Sequence, residues 1–279
     1  MRYFPALLAA CALAWLVPAI AAAPSSPPAE NTAPAAGEIV LLTGHGTALS
    51  PDSGRVRDLA KGDKVYAGDV LNAGPNSYIN VRFSDGAFVL LRPNSRLAIE
   101  AYAYAGPAPD AATKPDTPPA AATPAPAAAQ PATPATTAPP PSGGLQRAFL
   151  RLLKGGLRTV SGLIGKADPE EYRVTTPVAT IGIRGTDYYA YLCDLACASD
   201  PIIVQSLELL HLEQGMALGA TLNGVLAGSI AVTNAAGHTE ILGSGQYLLT
   251  LNDGRQIRLP EEPRFLRVTP FPNPQTMCP

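Results

Sequence analysis

The sequence predicts an all-β protein of short strands, stacked as a solenoid-like domain or folded as a roll or sandwich. Three observations point there. Apolar and polar residues alternate with period two in several short runs. Turn residues recur at intervals of ~8–12 residues. The 279 residues include 30 prolines and 25 glycines, a proportion that fits a loop-rich β chain better than a compact helical enzyme.

The N-terminus reads as a targeting segment. Arg2 supplies a positive start, Leu7 to Ile20 an apolar core, and Ala19-Ile20-Ala21 the small residues that a signal peptidase needs. Residues 1–21 are expected to be a cleaved signal peptide. An uncleaved anchor and a lipoprotein box ending at Cys11 are the alternatives, though few apolar residues precede Cys11. The expected destination is the periplasm, with no transmembrane span in the mature chain, because no later run of ~20 apolar residues occurs. Residues 22–36, rich in Ala, Pro and Ser, form a disordered lead.

Residues 37–105 alternate throughout. Ile79, Val81 and Phe83 share one face, and Ser84-Asp85-Gly86-Ala87 follows as a hairpin turn, since Asp-Gly tolerates the positive φ that tight hairpins need. Phe88 to Leu91 returns, Arg92-Pro93-Asn94-Ser95 turns again, and Leu97, Ile99 and Ala101 resume the alternation. Residues 106–144 are different material: 13 Ala, 12 Pro and 6 Thr among 39 residues. Such a tract lacks the apolar surface to offset its ordering entropy and is expected to be a disordered insert.

A second β-rich block spans residues 145–259, and a Pro-rich tail, 260–279, closes the chain. Arg173 to Thr176 is one strand and Val178 to Ile183 another, broken by Gly182 and Gly185. Val225 to Thr233 leads into a turn at Asn234-Ala235-Ala236-Gly237, and Tyr247 to Leu251 meets Ile257 and Leu259 across a second Asp-Gly turn. Two stretches fit a short amphipathic helix as well as a strand: Leu145 to Leu153, and Ser206 to Gln214 with Ser206 placed as an N-cap.

Export shapes the reading of the cysteines. Cys193 and Cys197 stand four apart and are expected to form a local disulfide in an oxidising compartment; Cys278 has no evident partner. His45, His211 and His238 are scattered singly and supply no zinc set. Asp63 and Asp69 each follow a glycine, and bonding to their own turn amides is favoured over calcium. Arg184 and Asp187 are expected to pair and fix a corner of the fold, with anion or partner recognition as the alternative. Among Tyr188, Tyr189 and Tyr191, alternation puts Tyr189 and Tyr191 on one face and Tyr188 on the other; stacking on a sugar and core packing are the two roles open to them.

No catalytic constellation emerges. Gly162 to Ala167 has the wrong spacing for a phosphate loop and lacks its hydroxyl residue. Gly243-Ser244-Gly245 lacks the spacing of a nucleophile elbow. A net charge of −2, from 20 basic and 22 acidic residues, argues against nucleic acid as a partner. No cofactor is expected.

Gly62-Asp63, Gly68-Asp69, Phe83-Ser84-Asp85-Gly86 and Leu91-Arg92-Pro93-Asn94-Ser95 appear in the order that resembles the FecR domain family. Leu153-Lys154-Gly155-Gly156-Leu157-Arg158-Thr159 and the run Thr176 to Thr186 resemble its second half. The resemblance covers about residues 37–104 and 145–191. Its signature positions here are Asp69, Asp85, Gly86, Asn94, Ser95, Gly182, Arg184, Gly185, Thr186 and Asp187. It implies a periplasmic, strand-rich domain of a type associated with sensing iron–siderophore transport and controlling a sigma factor. Only Met1 to Pro5 precede the apolar signal core, too few residues to grip a sigma factor directly. The expected function is therefore a non-catalytic periplasmic module binding an envelope protein or polymer. The alternative is a component of a sensing pathway that relays through a separate membrane partner.

Overall fold

A computed structural model describes residues 33–51, 53–106 and 146–277, the side chain of Arg184 excepted. The expected signal peptide, most of the lead, almost all of the insert, and Cys278 lie outside the described residues. The protein is mostly β. Among the described residues no helix is long and apolar enough to cross a membrane.

Strands β1 (Ala35–Thr43), β2 (Gly46–Ser50), β3 (Arg55–Asp58), β4 (Lys64–Tyr66), β5 (Val70–Ala73), β6 (Tyr78–Phe83), β7 (Phe88–Leu91) and β8 (Arg96–Ala103) precede the insert. Then come β9 (Arg147–Lys154), β10 (Gly156–Val160), helix α1 (Leu163–Ala167), β11 (Tyr172–Thr175) and the long β12 (Ala179–Leu192). Helices α2 (Leu195–Ala198) and α3 (Pro201–Leu209) lead to β13 (Thr221–Asn234), β14 (Thr239–Gly243), β15 (Tyr247–Thr250), β16 (Gln256–Leu259) and α4 (Arg264–Val268).

The hydrogen-bonded order is β3-β2-β5-β8-β9-β11-β12-β10-β7-β6-β1-β4, and β13 runs along the other edge of β12 carrying β14 and β15-β16. Two wings result. The first half of β12 pairs β11 and so begins the wing β11-β9-β8-β5-β2-β3, while its second half pairs β10 and begins β10-β7-β6-β1-β4. The wings bury a common core that includes Leu71, Leu97, Ile99 and Leu150 from one and Ile39, Val81, Val89 and Leu91 from the other. Each such side chain stabilises by ~1.5–3 kcal/mol when fully buried.

Period two holds where it was legible. Ile79, Val81 and Phe83 are buried on one face of β6, and Gly86 takes φ +83° in the β6–β7 hairpin. Of the stretch Leu145 to Leu153, read as helix or strand, the part from Arg147 on is β9: Ala148, Leu150 and Leu152 are buried at alternate positions, and four-residue spacing plays no part. The stretch from Ser206, open to helix or strand, falls in a helix that starts earlier. Asp200 is its N-cap, accepting from the Ile202 amide at 2.9 Å, and Pro201 fits the first turn, where no amide donor is needed. Ser206 lies inside α3, its Oγ donating to the Ile202 carbonyl at 2.7 Å.

The break expected at Gly182 and Gly185 is absent; β12 continues through both. The chain bends there by compensating bulges instead. Between the pairs Arg184↔Ser229 and Asp187↔Ala227, two β12 residues face one on β13, and one residue later β13 carries the extra position. Gly185 (φ +62°) and Gly228 (φ +79°) lie at this bend, and a Cβ on Gly228 would strike the Gly185 carbonyl. Thr186 locks it by donating its amide to Ser161 Oγ and its Oγ1 to the Ser229 carbonyl, both at 2.7 Å.

Candidate functional site

A chain that changes wing seven times between β1 and β11 needs corners, and the corners hold the motif residues. Consecutive strands belong to opposite wings at β1–β2, β3–β4, β4–β5, β5–β6, β7–β8, β9–β10 and β10–β11. Gly62-Asp63 and Gly68-Asp69 make two equivalent corners. Each glycine has φ near +90°, and each aspartate accepts the amide three residues back: Asp63 from Ala60 at 2.8 Å, Asp69 from Tyr66 at 2.9 Å. The first docks on Ile39 and the second on Ile99 through main-chain bonds in both directions. Asp69 also receives the Arg57 guanidinium and the Ser50 hydroxyl.

A second kind of corner is duplicated in the sequence. Pro75-Asn76-Ser77 and Pro93-Asn94-Ser95 share a tripeptide, and both asparagines are left-handed, φ +53° and +58°. Ser77 Oγ accepts the His45 amide at 2.9 Å; Ser95 Oγ accepts the Gly156 amide at 2.8 Å and donates to the Gly156 carbonyl. Gly44 and Gly155, both near φ +70°, lie so close to these serines that a Cβ on either would strike the hydroxyl. The corners stack on one another. The Gly74 amide bonds the His45 carbonyl, Asn94 bonds Gly74, Arg92 bonds Gly156, and Leu192 bonds Gly155, all at 2.8–3.1 Å.

The end of this ladder opens into a groove of about 410 Å³ lined by Arg92, Pro93, Asn94, Leu153, Lys154, Gly155 and Tyr191 to Asp194. Motifs from both sides of the insert meet there. Arg92 is only 9% exposed, and its Nη1 is buried without an acceptor. Its Cζ lies 4.7 Å from the Phe271 ring centroid and 5.6 Å from that of Tyr191. The opposite wall is organised by Asp194, which accepts the Tyr191 hydroxyl at 2.6 Å and the Cys197 amide at 3.1 Å. Burial first, then the Asp194 carboxylate, pushes the Tyr191 phenol well above its ordinary value, while Arg92 pulls the other way. Cys193 and Cys197 are joined as a disulfide behind this wall.

The Pro-rich tail packs against Arg92 and the strands beside the groove. Phe271 stacks on Tyr189 at 4.9 Å, its carbonyl accepts Arg158 Nη1 at 2.9 Å, and the Pro274 carbonyl accepts Asn80 Nδ2 at 2.7 Å. Phe265 packs against Tyr191 and donates its amide to Asp200.

Asp187 has a partner that the sequence reading did not name. Arg158, on the neighbouring β10, grips its carboxylate with two hydrogen bonds, Nε at 2.8 Å and Nη2 at 2.6 Å. Register explains this: Val160 faces Asp187 across the ladder, so Arg158 is the diagonal neighbour on the same face. The side chain of Arg184 lies outside the described residues. Tyr188 is buried in the core between the wings and Tyr189 and Tyr191 in a second cluster with α3 and the tail, the alternation expected from the sequence. Asp85 is fully buried under α1, accepting from the Ala87 and Ile164 amides and the Tyr102 hydroxyl at 3.1–3.3 Å. Sequence reasoning assigned Arg92 and Lys154 no role; the repeated Pro-Asn-Ser was the signal that two like corners exist and differ in what precedes them.

Neither a protein-family model nor any curated protein matches the sequence. Two crystal structures of a "putative anti-sigma factor" from Parabacteroides distasonis ATCC 8503 are similar to it, each at 11% identity and a TM-score of 0.39 over 72% of this chain. This chain spans 62% of the length of that protein. A likeness of that size leaves the functional reading to the geometry.

Proposed function

We propose that this chain is a non-catalytic, exported module of the cell envelope that holds a protein or polymer partner in the groove beside Arg92. One observation carries the reading: a nearly buried guanidinium without an acceptor for Nη1, at the junction of the two motif-bearing halves. A buried cation costs stability unless it is paired, so an Arg held in this way is poised for an acceptor from outside. The Cys193–Cys197 disulfide supports an oxidising compartment such as the periplasm. The non-catalytic reading draws support from Ser244, whose hydroxyl is spent on the Leu226 carbonyl in an exposed turn. A role in a sensing pathway of the iron-uptake or sigma-factor type rests on the FecR-like motif order alone.

The test is site-specific photo-crosslinking in cells that export the chain. A crosslinking residue at Lys154 should give a discrete adduct that the same residue at Lys64, on the edge strand β4, does not give. No adduct at Lys154, or the same adduct at both positions, would remove the groove as the binding site.

A further inference from the structure

We infer that the groove recognises a carboxylate on a peptide segment whose neighbouring side chain is apolar. This rests on the groove being the binding site. The planar guanidinium of Arg92 matches a carboxylate in geometry and charge, and such charge-assisted bonds are stronger than neutral ones. The Phe271 and Tyr191 rings hold that fork in place through cation–π contacts and offer it no hydrogen-bond acceptor. The charge count selects among anions. Arg92 and Lys154 contribute two positive charges to the lining and Asp194 one negative, so the site carries a single net positive charge. A monoanion balances it; a phosphate dianion would leave an excess negative charge beside the Asp194 carboxylate.

The walls select the molecule around the carboxylate. Pro93, Leu153, Leu192 and Cys193 line the groove beside the cations. These surfaces gain by covering an apolar side chain and offer little to the hydroxyls of a uronic acid. Asp194 is already bonded to Tyr191 and to the α2 amide, so it acts as a fixed negative wall that repels a second acidic group. A peptide ending in an apolar residue, or presenting one acidic side chain beside an apolar one, satisfies all of these features.

The experiment uses the mature chain and a fluorescent pentapeptide, Gly-Ser-Ala-Ala-Leu, followed by anisotropy. Its free-acid form should bind about tenfold or more tightly than its C-terminal amide, the difference expected for a charged hydrogen-bonded pair. An amidated peptide with one internal Glu beside Leu tests whether a side-chain carboxylate serves as well; its binding would also support the inference. Arg92→Gln should bring acid and amide to within about twofold, and Lys154→Gln, an exposed change safe for folding, should weaken the acid form about two- to threefold at low salt. Equal binding of acid and amide by the wild type, no binding of any peptide at millimolar concentration, or preferential competition by inorganic phosphate or glucuronate would each overturn it. Should the Lys154 crosslink form while acid and amide bind alike, the carboxylate inference fails and the binding-module reading stands.

Discussion

Pro75-Asn76-Ser77 and Pro93-Asn94-Ser95 are the same three residues in the same conformation, and only one of them borders a candidate site. Both turn the chain from one wing to the other with a left-handed asparagine, and both clamp a left-handed glycine under a serine hydroxyl. The difference is the residue before the proline. At the first corner it is Gly74, where a Cβ would lie 2.9 Å from the His45 carbonyl, so no side chain fits. At the second it is Arg92, which extends between two rings into the groove. The tripeptide builds corners; the flanking residue decides whether a corner also carries a site.

A second contrast separates two arginines that both touch Phe271. Arg158 is fully committed to Asp187 and the Phe271 carbonyl, whereas Arg92 meets the ring alone. Arg158→Met should therefore show the largest loss, about 3 kcal/mol in denaturant unfolding, because a mostly buried Asp187 is left without its cation. A loss under ~1 kcal/mol would mean that the pair behaves as an exposed one.

The glycine clamps should come next. Gly155→Ala and Gly44→Ala each combine a left-handed backbone with a collision, about 3 kcal/mol together. Gly155 should suffer more, since the added Cβ would lie 2.8 Å from the Ser95 Cα but 3.3 Å from the Ser77 Cα. Reversal of that order would show that the two corners are not built alike. Ser95→Ala strands the buried Gly156 amide, while the Gly156 carbonyl keeps the Arg92 amide, and should cost about 1–3 kcal/mol. Ser77→Ala frees the His45 amide at a part-buried position and should cost less by the same measurement.

The smallest effect concerns the β6–β7 hairpin, whose aspartate is buried where the Pro-Asn-Ser corners are neutral. Burial raises the Asp85 carboxyl above its ordinary value of 3.8. The folded chain then holds that proton at a pH where the unfolded chain has lost it, so stability rises as pH falls through the raised pKa, and the gain is complete below 3.8. Wild-type stability relative to Asp85→Asn should improve across that acidic window. A difference that stays flat with pH would show that the carboxyl titrates normally.

The strands of β6, β7, β15 and β16 were legible because period two and Asp-Gly turns are local signals. So was the split of Tyr188 from Tyr189 and Tyr191. The start of α3 was misread because Ser206 resembles a cap, while the true cap, Asp200, precedes a proline whose fitness for a first helical turn competes with its usual role in loops. The Arg158–Asp187 pair was not legible, because it forms through a register between residues 29 apart in the chain, which no local pattern encodes. The groove was illegible for the same reason: its walls come from β7–β8, β9–β10 and the end of β12, brought together by corner stacking.

The central claim is that Arg92 serves recognition and not the fold, and the melting temperature of Arg92→Met tests it most directly. Methionine fills the space between the Phe271 and Tyr191 rings, forfeits a cation–π contact, and removes a nearly buried charge whose Nη1 lacks an acceptor. Those effects oppose each other, so stability should stay within about 1 kcal/mol of wild type or rise. A melting temperature unchanged or higher, beside a clear fall for Arg158→Met, is the predicted result. An Arg92→Met variant destabilised as much as Arg158→Met would contradict the account and make Arg92 a structural residue of its corner.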